Sequence, residues 1–189
     1  MAMPAPLDPR ALGSGLTAAV LDQLPDDGQR YEMVRGDLLV TPAPDPWHQS
    51  LAARVNRVLD RYLEPLGSAE VRFAPLEAEH GPDSRVQPDL LVVPAHLVYS
   101  RPRYQLADLL LIVEILSPST ARTDRGNKRR LYQQAGIPQY WIVDPGARAV
   151  EVWTPAADSP VIERERLAWL APGAEAPLIL DLPRLFTPG

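Results

Sequence analysis

The sequence predicts an α/β fold, here an α+β mixture in which a central mixed β-sheet is flanked by helices. The most apolar run, residues 109–117 ("LLLIVEILS"), indicates a central strand that is covered on both faces. A long stretch with helical spacing of apolar residues precedes it at 48–67, and a second helix signal follows at 123–136. Strand signals separated by turn residues fill most of the remaining chain.

The length and composition are those of one globular domain: 189 residues, of which 46% are hydrophobic and 23% charged. We expect residues 16–189 to form this domain and residues 1–15, rich in Pro, Ala and Gly, to be a flexible lead-in. Neither a membrane span nor a secretory signal is indicated. The absence of cysteine fits a cytoplasmic protein.

The first half of the chain predicts a short helix, a hairpin and a long helix. "LTAAVLDQLP" has Thr17 as a candidate N-cap. Residues 31–40 are typical of a hairpin that turns at Arg35-Gly36-Asp37. In residues 48–67 the apolar side chains fall on one face and three arginines on another, and Pro65 with Gly67 ends the helix. The three arginines are Arg54, Arg57 and Arg61.

The second half predicts mainly strands around one helix. Residues 69–79 alternate apolar and polar as one half-exposed strand, and residues 86–93 ("VQPDLLVV") form the next strand. The helix at 123–136 begins at Thr123 or Asp124 and stops at Gly136. Two strands joined by a turn at Asp144-Pro145-Gly146 follow within 139–153.

Two acids interrupt the apolar strands: Asp89 in "VQPDLLVV" and Glu114 in "LLLIVEILS". A buried carboxylate without a partner is costly, so a cation or a basic group must meet each of them. Carboxylate oxygens are ligands that Mg²⁺ prefers, and two of them suffice when phosphate and water complete the shell. If the strands are neighbours, both acids can converge on one metal that polarises a phosphoryl oxygen and activates water.

The ordered motifs "QPDLLVV", "IVEILSPST", "DRGNK" with a tyrosine four residues after its lysine, and "GIPQYWIVDP" resemble the Uma-type family of "putative restriction endonucleases". That family belongs to the PD-(D/E)XK nuclease superfamily. The resemblance runs from about Tyr31 to Trp153 and includes "YEMVRGDL" and "PWH". It implies a restriction-endonuclease-like core and hydrolysis of phosphodiester bonds of nucleic acid, with DNA expected, dependent on Mg²⁺ or Mn²⁺. The sequence shows no separate DNA-reading module, so we expect target choice to come from a dimer, in this case a homodimer, or from a partner.

The sequence departs from the superfamily signature at Leu116, where a lysine would follow the second acid by two residues. The resemblance implies that the lysine comes instead from the following helix, at Lys128. Lys128 is the only lysine among nineteen basic residues. An ammonium is a compact point charge that can position water or neutralise phosphate, and a guanidinium substitutes poorly for it. The expected catalytic set is therefore Asp89, Glu114 and Lys128.

Further residues have supporting roles in this interpretation. The resemblance implies that the Ile115 backbone carbonyl joins Asp89 and Glu114 on the metal, with Glu32 as an additional candidate. Asp124 and Tyr132 share a helix face with Lys128 at i, i+4, i+8 spacing, and His48 matches a family histidine. Three arginines of the same helix are expected to point outward and contact nucleic acid: Arg125, Arg129 and Arg130.

Two functions remain open from the sequence: a metal-dependent nuclease, and a catalytically inactive binding or scaffold domain that keeps the nuclease fold. The net charge of −5 favours the second, since phosphate binding requires a basic surface. The catalytic set favours the first. Residues 122–130 carry five basic side chains against one acid, so the global charge does not exclude nucleic acid.

Overall fold

The computed structural model describes residues 7–100 and 102–187 and has the mixed α/β architecture that the sequence predicts. The strands are β1 Arg30–Val34, β2 Asp37–Thr41, β3 Ala69–Phe73, β4 Ala78–Glu79, β5 Arg85–Val86, β6 Leu90–Pro94, β7 Tyr104–Gln105, β8 Leu111–Ile115, β9 Tyr140–Asp144, β10 Ala149–Trp153, β11 Val161–Glu163, β12 Arg166–Trp169 and β13 Leu178–Asp181. The α-helices are α1 Pro46–Leu63, α2 Ala121–Thr123, α3 Arg129–Gln134 and α4 Leu182–Leu185. A π-helical segment, Asp124–Lys128, joins α2 to α3.

The strands form a six-stranded sheet, a five-stranded sheet and a two-stranded ribbon. The six-stranded order is β11-β10-β9-β8-β6-β3, with β8 and β9 parallel and the other pairs antiparallel. The five-stranded order is β2-β1-β5-β4-β7, and the ribbon pairs β12 with β13. β8 is therefore an interior strand, as the sequence predicts.

Strand β8 divides the hydrophobic core. Its odd-numbered residues Leu111, Val113 and Ile115 pack in a cluster with the apolar face of α1. Ile112, from the opposite face, packs in a second cluster that includes Leu131 of α3. Alternation along the strand therefore points Glu114 toward the α3 side of the sheet.

Helix α1 is the predicted long helix and begins two residues before His48. The Asp45 side chain accepts a hydrogen bond from the His48 amide at 2.8 Å, which caps the first turn, and Pro46 occupies the first helical position. A 3₁₀ turn, Glu64–Leu66, follows, and Gly67 with φ 62° ends the helix. The hairpin β1–β2 and the pair β9–β10 also lie where they are predicted.

Four sequence predictions are wrong in detail. The second helix begins at Ala121, before the predicted start at Thr123 or Asp124. The predicted strand 69–79 is two strands, β3 and β4, in different sheets, because Pro75 interrupts it and lacks the N–H that a ladder needs. The predicted strand 86–93 is likewise divided by Pro88, so that Asp89 immediately precedes β6. The first helix is a 3₁₀ helix, Ala18–Gln23, and Thr17 makes no side-chain cap.

The expected flexible lead-in lies partly outside the described residues, which begin at Leu7. Pro9–Ala11 form a 3₁₀ turn, and the Leu7 amide donates to the Gln23 carbonyl at 3.1 Å. Two more 3₁₀ turns, Ala95–Leu97 and Leu106–Asp108, lie between strands. Of the helices in residues 7–100 and 102–187, none has the length and apolar character needed to cross a membrane.

Candidate active site

Strand register brings the two acids together. β6 and β8 are antiparallel, with Leu90 opposite Val113 and Leu91 opposite Ile112. Continuing this register by one residue puts Asp89 opposite Glu114. Directly opposed residues of an antiparallel pair have Cβ atoms about 5 Å apart and share one face of the sheet.

Asp89 is a buried carboxylate that contacts a guanidinium group, a backbone amide and an imidazole ring. Its Oδ1 accepts a hydrogen bond from Arg30 Nη1 at 3.0 Å, and its Oδ2 accepts one from the Ile115 amide at 2.9 Å. His48 Nε2 lies 3.0 Å from the same Oδ2. Burial alone would raise the pKa of Asp89, but His48, Arg30 and the Ile115 amide together lower that pKa to about 2. Asp89 is therefore ionised at neutral pH.

Glu114 lies in a contrasting environment. Its Oε1 accepts hydrogen bonds from Lys128 Nζ and from the Tyr132 hydroxyl, each at 2.9 Å. Burial raises the pKa of Glu114 to about 8, against the lowering effect of Lys128, and Asp89 and other nearby acids add to the rise. Both donors bind the same oxygen, so Oε2 is the carboxylate oxygen that these hydrogen bonds leave available.

Lys128 connects two strands. Its Nζ lies 2.8 Å from Glu32 Oε1 of β1 as well as 2.9 Å from Glu114 Oε1 of β8. Burial would lower the pKa of Lys128, but Glu114, Glu32 and Asp124 raise it above its usual value. The amine is therefore a fixed ammonium. Glu32 Oε1 also accepts from the Gln87 amide at 2.8 Å, which ties β1 to the segment before Asp89.

Asp124 and Tyr132 lie on the same buried side of the helix as Lys128. Asp124 Oδ1 is 3.8 Å from Lys128 Nζ and, within the part of the chain that the structure describes, has no hydrogen-bond partner. Burial raises the pKa of Asp124, and burial together with Glu114 raises that of Tyr132 well above 10.0. The π-helical turn between Asp124 and Lys128 is a feature frequently found at functional sites.

The buried cluster carries more acids than fixed cations. Four carboxyl groups stand against two cations, Lys128 and Arg30, so full ionisation would leave a charge of −2, from −4 + 2. The four carboxyl groups belong to Glu32, Asp89, Glu114 and Asp124. Among the described residues no three His, Cys, Asp or Glu side chains form a metal-binding group. Mg²⁺ requires only one or two carboxylates beside water and phosphate, so the charge surplus and the free oxygen of Glu114 fit such an ion.

Three arginines of the second helix were expected to point outward. Two of them, Arg125 and Arg129, make contacts within the protein. Arg125 pairs with Asp144 and with Glu151, each at 2.6 Å. The Arg129 guanidinium lies 4.7 Å from the centroid of a Trp153 ring. Arg130 is exposed. Contact of these arginines with nucleic acid stays a prediction, and two of them have structural partners that would compete with it.

A cleft of about 550 Å³ opens beside Asp89, between α1 and the ends of β3 and β6. Arg30 and His48 line it next to Asp89, and Asn56 and Phe73 lie further along. His48 Nδ1 and Asn56 Oδ1 are buried and have no hydrogen-bond partner among the described residues. Phe73 is 63% exposed although it is large and apolar. The unpaired polar atoms leave hydrogen-bonding capacity at the wall of the cleft.

Arg30, Asn56 and Phe73 were missed at the sequence level. Arg30 had a signal: it lies two residues from Glu32 on one strand, so both side chains share a face. The sequence gives no such signal for Asn56 and Phe73. Asn56 resembles any polar residue of an amphipathic helix, and Phe73 resembles any apolar residue of a half-exposed strand.

Comparisons with known proteins bear on the family and the fold. The sequence profile of the Uma2 family, described as "Putative restriction endonuclease", matches residues 18–185. A solved structure titled as a putative nuclease belonging to DUF820, from Anabaena variabilis, superposes with a TM-score of 0.76 at 20% sequence identity. That match covers 90% of this chain and 97% of the other. No curated protein sequence matches the chain.

Proposed function

Because the chain belongs to the Uma2 family, described as "Putative restriction endonuclease", we propose that it is a metal-dependent nuclease that hydrolyses phosphodiester bonds of DNA. One observation carries the proposal. The only lysine of the chain, on the helix after β8, lies 2.9 Å from the carboxylate of Glu114, next to the strand end that bears Asp89. We propose that Asp89, Glu114 and the Ile115 carbonyl hold Mg²⁺ or Mn²⁺, which would lower the pKa of bound water and polarise the phosphoryl group.

Lys128 acts electrostatically in this proposal. Its raised pKa keeps it protonated, so it cannot serve as a general base at neutral pH. It can orient the attacking water through an N–H donor and offset the negative charge that develops on the phosphoryl oxygens. Tyr132 and Glu32 position it: Tyr132 shares the Glu114 oxygen, and Glu32 holds the ammonium from the opposite strand.

Arg30 and His48 are proposed to contact the substrate phosphate at the mouth of the cleft. Both touch Asp89 and line the same cavity, and His48 Nδ1 has no hydrogen-bond partner among the described residues. A guanidinium next to a carboxylate can orient the metal ligand and also donate to a phosphate. The leaving oxygen would take its proton from solvent that enters through the cleft.

The experiment is metal-dependent cleavage. Purified protein is incubated with supercoiled plasmid, linear duplex, single-stranded DNA and single-stranded RNA, with Mg²⁺, Mn²⁺ or a chelator. We expect cleavage of at least one DNA substrate that requires metal and is lost in Asp89→Ala. Cleavage of none, with either metal, would overturn the proposal.

A binding or scaffold domain is the second candidate. It is favoured by the ion pairs of Lys128 with Glu32 and Glu114, at 2.8 and 2.9 Å, because they give the lysine a structural role. Such a domain would bind nucleic acid in the presence of a chelator and leave it intact, whereas a nuclease would need metal for turnover.

A further inference from the structure

A second concave surface lies on the other side of α1, facing α4. This arginine groove has a volume of about 530 Å³ and is lined by four arginines and one acid, Asp181. The arginines are Arg54, Arg57, Arg61 and Arg184. Their balance against Asp181 is +3, from 4 − 1, in a chain whose net charge is −5. The carboxylate of Asp181 also accepts from the Arg184 amide at 2.9 Å, so it is engaged in capping α4.

Three of these arginines lack a side-chain partner among the described residues. Within residues 7–100 and 102–187, the guanidinium groups of Arg57, Arg61 and Arg184 make no hydrogen bond or ion pair, and all three side chains are exposed. Arg54 differs, because it donates to the carbonyl oxygens of Leu185 and Thr187 and so links α1 to the last turn of α4 and the residues after it. The groove therefore has one structural arginine and three that are available to a ligand.

The spacing of these cations is regular. Arg54, Arg57 and Arg61 follow i, i+3, i+7 positions of α1, which lie on one helix face about one turn apart. Arg184 comes from α4 and faces the same groove. A row of cations along a helix suits a linear polyanion better than a small anion, which needs convergent donors.

The groove and the Asp89 cleft are connected through Arg57, which lines both. A strand that lies over Arg61 and Arg184 can thus continue past Arg57 toward Arg30 and Asp89. By contrast, Arg125 and Arg129 of the second helix are held by Asp144, Glu151 and Trp153. In the described part of the chain, Arg57, Arg61 and Arg184 have no such partner, and among the three arginines expected on the second helix only Arg130 is comparable.

We infer that the arginine groove binds the sugar–phosphate backbone of the nucleic acid whose scissile phosphate enters the Asp89 cleft. The inference rests on the proposed function for the identity of the polyanion. The inference assigns the contact with the nucleic-acid backbone to Arg57, Arg61 and Arg184. None of these arginines belongs to the proposed catalytic set. These residues position the strand and take no part in bond cleavage.

The test compares two triple variants that remove the same charge. The groove variant is Arg57→Gln/Arg61→Gln/Arg184→Gln, and the control is Arg148→Gln/Arg164→Gln/Arg166→Gln, three exposed arginines elsewhere. Binding of fluorescein-labelled duplex and single-stranded DNA is measured by anisotropy in Ca²⁺ over a range of salt. The logarithm of the binding constant falls linearly with the logarithm of the salt concentration, and each lost phosphate contact makes this slope less steep by about 1. We therefore expect the slope of the groove variant to be less steep by about 3.

The control should keep the wild-type slope, and thermal unfolding should show both variants folded. Equal weakening of both variants, or an unchanged groove variant, would overturn the assignment. Metal-dependent cleavage by the wild type separates the inference from the proposed function. If the wild type never cleaves but the groove variant loses binding, the groove assignment is supported and the proposed nuclease activity is contradicted. If the wild type cleaves and the groove variant binds DNA as well as the wild type does, the nuclease activity is supported and the groove assignment is contradicted.

Discussion

Lys128 and Glu114 meet inside the protein, with Nζ 2.9 Å from Oε1, although fourteen residues separate them along the chain. The same ammonium reaches Glu32 at 2.8 Å, so one cation serves two buried carboxylates from two different sheets. In this arrangement the helix supplies the amine that the strand lacks at Leu116. Removal of either partner should therefore affect stability as well as the proposed cleavage.

Loss of the amine should destabilise the fold. Lys128→Met leaves Glu32 and Glu114 buried without a cation, and breaking a buried ion pair costs about 3–5 kcal/mol. Above about pH 8, where Glu114 is ionised in the wild type, we expect Lys128→Met/Glu114→Gln to recover part of this loss, because the glutamine carries no charge. Urea unfolding of the wild type, of Lys128→Met and Glu114→Gln, and of the double variant measures the coupling. Additive effects would show that Lys128 and Glu114 do not stabilise each other, against the observed contact.

Stability without metal should fall as pH rises. The pKa of Glu114 in the folded chain is about 8 and its ordinary value is 4.5. A raised folded-state pKa means that the protonated form stabilises the fold. That contribution is complete below 4.5 and is lost as pH rises through about 8. Asp89, with its pKa of about 2, does not titrate in this window.

Thermal unfolding in a chelator across that window measures the effect. The wild type should lose stability toward pH 8 and Glu114→Gln should lose less, whereas a wild type that gains stability over the same range would contradict the sign.

Much of the fold could be predicted because local signals dominate it. The periodicity of α1, the apolar run of β8 and the Pro-Gly turn between β9 and β10 each lie within one short segment. The division of 69–79 into two sheets was missed because alternation does not show where a strand changes partner. Pro75 was the available signal.

The residues of the candidate site could be predicted better than the side chains that contact them. Asp89, Glu114 and Lys128 were identified from motif order, and their roles stay predictions. The partnership of Arg30 with Asp89 spans 59 positions and depends on how the five-stranded sheet packs against the six-stranded one. No local pattern encodes such a contact.

Metal binding should compete with a proton on Glu114. Because Asp89 is already ionised, we expect Mn²⁺ and Mg²⁺ affinity to rise up to about pH 8 and to level off above it. Calorimetry in two buffers of different ionisation enthalpy counts the protons released, and we expect nearly one near neutral pH. Asp89→Asn should weaken binding strongly. Affinity independent of pH between 4.5 and about 8 would count against Glu114 as a ligand.

The most direct test of a metal-dependent site at Asp89 and Glu114 is DNA cleavage by Glu114→Gln, measured beside its stability. The substitution keeps the size of the side chain and removes one charge from a cluster with surplus acid, so the variant should be at least as stable as the wild type near pH 8. It should nevertheless lose most of its cleavage, because the carboxylate to which we assign the metal is gone. Glu175→Gln, an exposed glutamate, is the matched control and should cleave normally. Cleavage by Glu114→Gln at the wild-type rate would contradict the account.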